Sequence, residues 1–154
     1  MKFTCKPATT IFGWICATGQ TELARETARR TNERVDRALA HDASDTNALT
    51  YKALTHAFFG ESEEAKKLAL RVKAIDPESP GIDFNLACTK ALLGEPDIAL
   101  DCLETCFSRV DPATFVSWTR RDTDLNSLRD LPRFKQLLVD LEARVDVNEA
   151  VQPH

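Results

Sequence analysis

TNALTYKALTHAFFGESEEAKKLALRVKAIDPES, residues 46–79, lies over PGIDFNLACTKALLGEPDIALDCLETCFSRVDPA, residues 80–113, when the chain is shifted by 34 positions. Identical pairs are Ala53/Ala87, Thr55/Thr89, Ala57/Ala91, Gly60/Gly94, Glu61/Glu95 and Ala65/Ala99. They gather around one turn. Apart from Thr and Glu, which suit solvent, all are small residues, the type that lets two helices approach closely.

Each unit reads as helix, turn, helix. Asp45 is placed to cap the first helix of unit one, and Ser79 followed by Pro80 takes that place in unit two. Gly60 and Gly94 end these helices, where a left-handed residue costs glycine least. The second helices open at Ser62 with Glu63 and Glu64, and at Pro96 with Asp97, acidic groups that suit a helix N-terminus. Apolar residues then recur as Ala65, Leu68, Ala69, Val72, Ile75 and as Ala99, Cys102, Leu103, Cys106, the spacing of one helix face. Asp76-Pro77 and Asp111-Pro112 close the units, because the residue before proline avoids the helical region.

The small residue mid first helix (Ala53, Ala87), the turn glycine, the Ala early in the second helix (Ala65, Ala99), the Ile75-Asp76-Pro77 closing and the Asn85-Leu86-Ala87 segment together resemble the tetratricopeptide repeat (TPR) family over residues 46–113. The chain departs from that pattern at Ala69 and Leu103, and at His56 and Lys90, where the family carries aromatics. Upstream, NERVDRALAHDASD (32–45) is similar to a second repeat helix with Val35, Ala38 and Leu39 inward, continuous with TELARETARRT before it. Downstream, WTRRDTDLNSLRDLPRFKQLL (118–138) resembles the capping stretch of bacterial TPR arrays, including those appended to nucleotide cyclases and kinases. Leu131, Phe134, Leu137, Leu138 and Leu141 form its apolar stripe, begun by Asp130 and Pro132.

The expected fold is therefore all-α: a short right-handed superhelix of antiparallel helix pairs, about six helices, ending in a capping helix. Residues 21–145 form this domain. Residues 1–20 form an N-terminal segment whose Phe3, Ile11, Phe12, Trp14 and Ile15 need burial, in the groove or in a dimer, and 146–154 form a mobile polar tail.

Composition agrees with one globular domain. The chain has 154 residues, 43% hydrophobic and 29% charged, with only 5 Gly and 7 Pro. A domain of that length buries about 70% of its unfolded surface and needs no metal or disulfide to hold a core. The formal charge of −4 argues against a dedicated nucleic-acid binder, although residues 1–77 carry +2 and 78–154 carry −6. Five cysteines without a CxxC pair argue against a secreted disulfide framework. No apolar run approaches the roughly 20 residues that span a bilayer, so the expected compartment is the cytoplasm.

Constellations for chemistry are sparse. The sequence holds no G-x-G-x-x-G, Walker loop, G-x-S-x-G or H-E-x-x-H motif. His41, His56 and His154 lie far apart. Cys88, Cys102 and Cys106 fall on facing helices, where a zinc ion would lack a fourth ligand other than distant His56; small buried hydrophobes are the simpler reading. Arg25, Arg29, Arg30, Arg34 and Arg37 interleave with Glu22, Glu26, Glu33 and Asp36, a self-neutralising solvated face. No catalytic residue, metal or cofactor is expected.

What the resemblance implies is a binding groove along the first helices, which in stacked hairpins line the concave side. Its lining would be Asn47, Thr50, Leu54 and Phe58 from unit one, and Phe84, Asn85, Cys88 and Leu92 from unit two. Of the Lys, Asn and Arg that clamp a C-terminal carboxylate in chaperone-binding members, Asn85 alone is matched. The expected function is a non-enzymatic adaptor that binds a protein or peptide. The second reading is a regulatory or homodimerising domain like the TPR tails of signalling enzymes, and a remote third is a metal or redox protein centred on Cys88, Cys102 and Cys106.

Overall fold

Local chemistry sets where the helices begin. In the computed structural model, which describes residues 21–151, the Asp45 carboxylate accepts from Ala48 N at 3.0 Å and opens a 13-residue helix. Asp111 caps another in the same way, through Thr114 N. Ser79 stands at the corresponding place before Pro80, but its hydroxyl makes no capping bond. Proline as the first helical residue needs no donor partner, so the start survives without one.

Seven α-helices result among the described residues: α1 Thr21–His41, α2 Thr46–Phe58, α3 Ser62–Ile75, α4 Pro80–Leu92, α5 Pro96–Phe107, α6 Pro112–Arg121 and α7 Pro132–Val151, with a short 3-10 helix, Thr123–Leu128, before the last. There is no strand among the described residues. The fold class is all-α. The 34-residue offset holds in space: α2 and α4 have the same length and start 34 residues apart, as do the starts of α3 and α5.

Both hairpins turn by one device. Gly60 and Gly94 are the only positive-φ residues among those described, at +77° and +72°. Glu61 N donates to His56 O at 2.8 Å and Gly60 N to Ala57 O at 3.0 Å; Glu95 N to Lys90 O and Gly94 N to Ala91 O repeat this at 2.9 and 3.1 Å. This paired closure satisfies carbonyls that a helix end leaves open. A Cβ at Gly94 would meet no atom within 4 Å, so only backbone strain opposes it. Gly94→Ala is expected to cost about 1–2 kcal/mol. Gly81, in an ordinary helical conformation with only Ser79 Oγ at 4.0 Å, gives the opposite sign: Gly81→Ala should stabilise by about 0.5 kcal/mol. Urea denaturation of the two variants reads both, and equal signs would contradict the turn geometry.

The first helices pack together and carry the rest. α2 contacts α1, α3 and α4, while α4 contacts α3, α5 and the 3-10 helix; α7 packs on α6 and α5. The largest core joins α4, α5, the 3-10 helix and α7 through Phe84, Ala87, Leu103, Leu125, Leu128, Phe134 and Leu141. Val35 of α1 packs with Ala48 and Tyr51, and Leu39 is partly buried there. Ala53, Ala87, Ala65 and Ala99 are all fully buried, as their role at helix contacts requires.

Several expectations need correction. Thr55 and Thr89 do not face solvent. They are buried, and their hydroxyls donate to the carbonyls of Tyr51 and Asn85 four residues back, which removes the cost of burying them. Ile75 lies exposed, beyond the last turn that packs. The described residues hold seven α-helices rather than about six because residues 112–121 form a helix of their own, α6, followed by a 3-10 turn after Asp122. The boundary placed at 146 falls inside α7, which runs to Val151 since no Gly or Pro interrupts residues 133–151. The N-terminal expectations for 1–20, and those for 152–154, lie outside the described residues.

Candidate functional site

The face expected to bind a partner is built from repeat-related positions. Thr50, Leu54 and Phe58 on α2 stand one repeat length from Phe84, Cys88 and Leu92 on α4. Thr50, Leu54, Phe84 and Cys88 are buried, Phe58, Asn85 and Leu92 are half-buried, and Asn47 is exposed. The α4 part is covered by the chain itself. The Phe84 ring meets Phe115 edge-on at 5.7 Å and Trp118 at 6.1 Å, and those two α6 rings lie 4.8 Å apart. Such tilted contacts are the favoured arrangement for aromatic pairs. The face thus has an apolar floor held by α6 and a polar rim at Asn47 and Asn85.

A separate open cleft of about 610 Å³ is lined by Arg25, Arg29, Asn32, Glu33, Asp36 and Phe59. Its charges are largely matched. Arg29 bonds both Glu26 and Glu33, and Lys52 Nζ sits 2.5 Å from Asp36. Arg25 and Arg30 pair with Glu22 and Glu26. This is the self-neutralising face expected of α1.

Cys88 and Cys106 lie buried in one core with Cys102 packed against it, as the reading of them as small hydrophobes expects. Cys88 converges with Asp122 and Asp124, its Sγ 3.8 Å from Asp122 Oδ2, and the three donor atoms lie within 4.8 Å of one another. Cys102 and Cys106 stand outside that group. His56 is committed elsewhere, its Nδ1 paired with Glu61 Oε2. Burial pushes the Cys88 thiol well up, with Asp122 and Asp124 adding to it. Burial likewise raises Cys102, and takes Cys106 up to about 12 with help from Asp83. Thiols held protonated in this way are poor nucleophiles. Asp124 is itself raised, by burial first and then by Asp122.

Two charge constellations escaped the sequence reading. Asp83 is 2% exposed, with Lys73 Nζ 2.6 Å from one carboxylate oxygen and Arg109 Nη2 2.5 Å from the other. The other explains the departures at His56 and Lys90: each pairs with the glutamate across its own turn, His56 with Glu61 and Lys90 with Glu95 at 2.7 Å. Lys66 of α3 reaches Glu95 as well, at 2.9 Å, so the second latch also bridges the hairpins. Lys90 first, then Lys66, hold the Glu95 carboxyl below its ordinary value; the latch therefore holds through neutral pH and weakens as acid protonates it. The matched Glu61/Glu95 pair was the signal. Asp122 likewise lies one repeat length after Cys88, inside the quoted capping stretch.

No protein-family model, curated protein or solved structure matches this chain.

Proposed function

We propose that the chain is a non-enzymatic interaction module of TPR type, its helix pairs stacked as a short right-handed superhelix, that holds a peptide or helix along the α2–α4 face. What carries this reading is the repeated turn. Two hairpins one repeat apart share the same glycine closure, the same buried alanines and a side chain that pairs with the turn glutamate, His56 with Glu61 and Lys90 with Glu95, and stacked units of this kind present their first helices as one continuous surface. Half-buried Phe58 and Leu92 supply the accessible apolar part of the face over the buried floor, and the rim at Asn47 and Asn85 supplies hydrogen bonds that orient a backbone. Nothing in that chemistry activates a nucleophile. The raised thiols of Cys102 and Cys106 are part of the packing.

The test is peptide display on the purified protein, followed by affinity measurement with the selected peptides. Asn47→Arg and Asn85→Arg, both at the rim, are expected to weaken binding at least about tenfold, roughly 1.4 kcal/mol. Leu70→Arg, at a position 74% exposed on α3, should leave it unchanged. Peptides insensitive to both rim variants, or sensitive to Leu70→Arg, would remove the α2–α4 face from the reading.

A further inference from the structure

We propose that Cys88, Asp122 and Asp124 form a binding site for a divalent metal ion, zinc by the character of its donors, that ties the capping segment to α4. The thiol comes from the middle of α4 and the two carboxylates from the junction of α6 with the 3-10 helix, so the site spans two elements distant in sequence. All three side chains are buried, Asp122 to 2% and Asp124 to 6% exposure.

The observation that points to a ligand is Asp124. Its backbone N–H donates to Asp122 Oδ1 at 3.0 Å, but no hydrogen bond or ion pair reaches its carboxyl among the described residues. A buried carboxylate without such a partner costs several kcal/mol or more, and here it lies beside a second one. The Thr123 hydroxyl between them in sequence is also buried with no hydrogen-bond partner. A cation bound among the three donors removes the repulsion and supplies the missing partner.

Geometry and charge fit zinc. Tetrahedral coordination with Zn–S near 2.3 Å and Zn–O near 2.0–2.2 Å sets sulfur and oxygen about 3.5 Å apart, close to the observed 3.8 Å. A thiolate among the ligands selects zinc over magnesium or calcium, which take six or more oxygens. Binding releases the thiol proton to solvent as the Zn–S bond forms. One thiolate and two carboxylates against Zn²⁺ leave one net negative charge. The Arg129 guanidinium, which donates to the Asp122 carbonyl at 2.8 Å, is placed to balance it. Three protein ligands leave one coordination position for water.

The experiment takes the full chain, strips it with a chelator, and titrates zinc by calorimetry and cobalt(II) by absorbance. Expected are one equivalent of zinc at micromolar Kd or tighter, a rise in Tm on loading, and a cobalt–thiolate charge-transfer band with the visible bands of a tetrahedral centre. Cys88→Ser should abolish the thiolate band, Asp124→Asn should weaken zinc at least about tenfold, and Cys102→Ser should change neither. Absence of stoichiometric zinc uptake by the wild-type chain overturns the proposal, as does a thiolate band that survives Cys88→Ser. So does an Asp124→Asn variant that binds zinc as tightly as the wild type. Because the wild-type titration decides alone, a variant that fails to fold does not shield the proposal.

Discussion

Replacing Lys73 and Arg109 together with methionine is expected to destabilise the protein by about 3–5 kcal/mol, while Asp83→Asn costs only about 1–2 kcal/mol. The asymmetry follows from where the charges sit. The Asp83 side chain is 2% exposed, whereas those of Lys73 and Arg109 are 37% and 30% exposed. Removing both cations strands a carboxylate in the interior between α3, α4 and the end of α5, and a stranded buried charge is the costly outcome. Removing the carboxylate leaves two cations that already have other acceptors: Lys73 donates to the Pro77 carbonyl at 2.7 Å and Arg109 to Glu78 at 3.0 Å. Each can also turn toward water. Either cation alone still neutralises Asp83, so Lys73→Met and Arg109→Met singly should cost less than half of the pair, a non-additivity expected of shared partners. Urea denaturation of the four variants measures all of this, and an Asp83→Asn as damaging as the double variant would contradict the burial argument.

That triad also marks the boundary of what spacing could reveal. The helix ends were legible because their causes are local: Asp45 and Asp111 bond amides three residues on, and Gly60 and Gly94 carry a dihedral that other residues resist. The α2–α5 pairing was legible for the same reason, as two copies of one local pattern. Lys73, Asp83 and Arg109 have no such period. They meet only because α3 packs on α4 and α5 returns alongside it, and at the level of sequence each reads as a solvated charge. The Thr55/Thr89 identity misled in the opposite direction, since a hydroxyl that bonds its own helix can be buried at little cost. For the candidate site, the repeat placed Leu54 and Cys88 on one face but could not say that Phe115 and Trp118 would cover its α4 end. Coverage depends on where residues 112–128 fold, and that segment breaks the 34-residue pattern at Asp122.

Leu128→Ala is expected to cost about 2–5 kcal/mol, a loss that a peripheral turn would not produce. The 3-10 helix is only six residues long, yet Leu125 and Leu128 are both fully buried and share one core with Phe84, Leu103, Phe134 and Leu141. Truncating Leu128 removes apolar contacts at the junction of α4, α5 and α7, and Leu103 and Phe134 cannot close the gap without moving their helices. Because these side chains belong to the same core, the loss should fall on global stability. The urea transition should move to lower denaturant, remain single, and keep its slope. Trp118 provides the local reading. In a Trp14→Phe background it is the sole tryptophan of the chain, and it packs on Phe84 and Phe115. Its fluorescence should follow the helical signal at every urea concentration. A Trp118 transition preceding the loss of helix would show instead that the cap opens as a separate lid, baring Phe84 and Cys88 while the hairpins stay folded. With a single transition those floor residues stay covered in the native state, and a partner on the α2–α4 face meets the rim at Asn47 and Asn85 first.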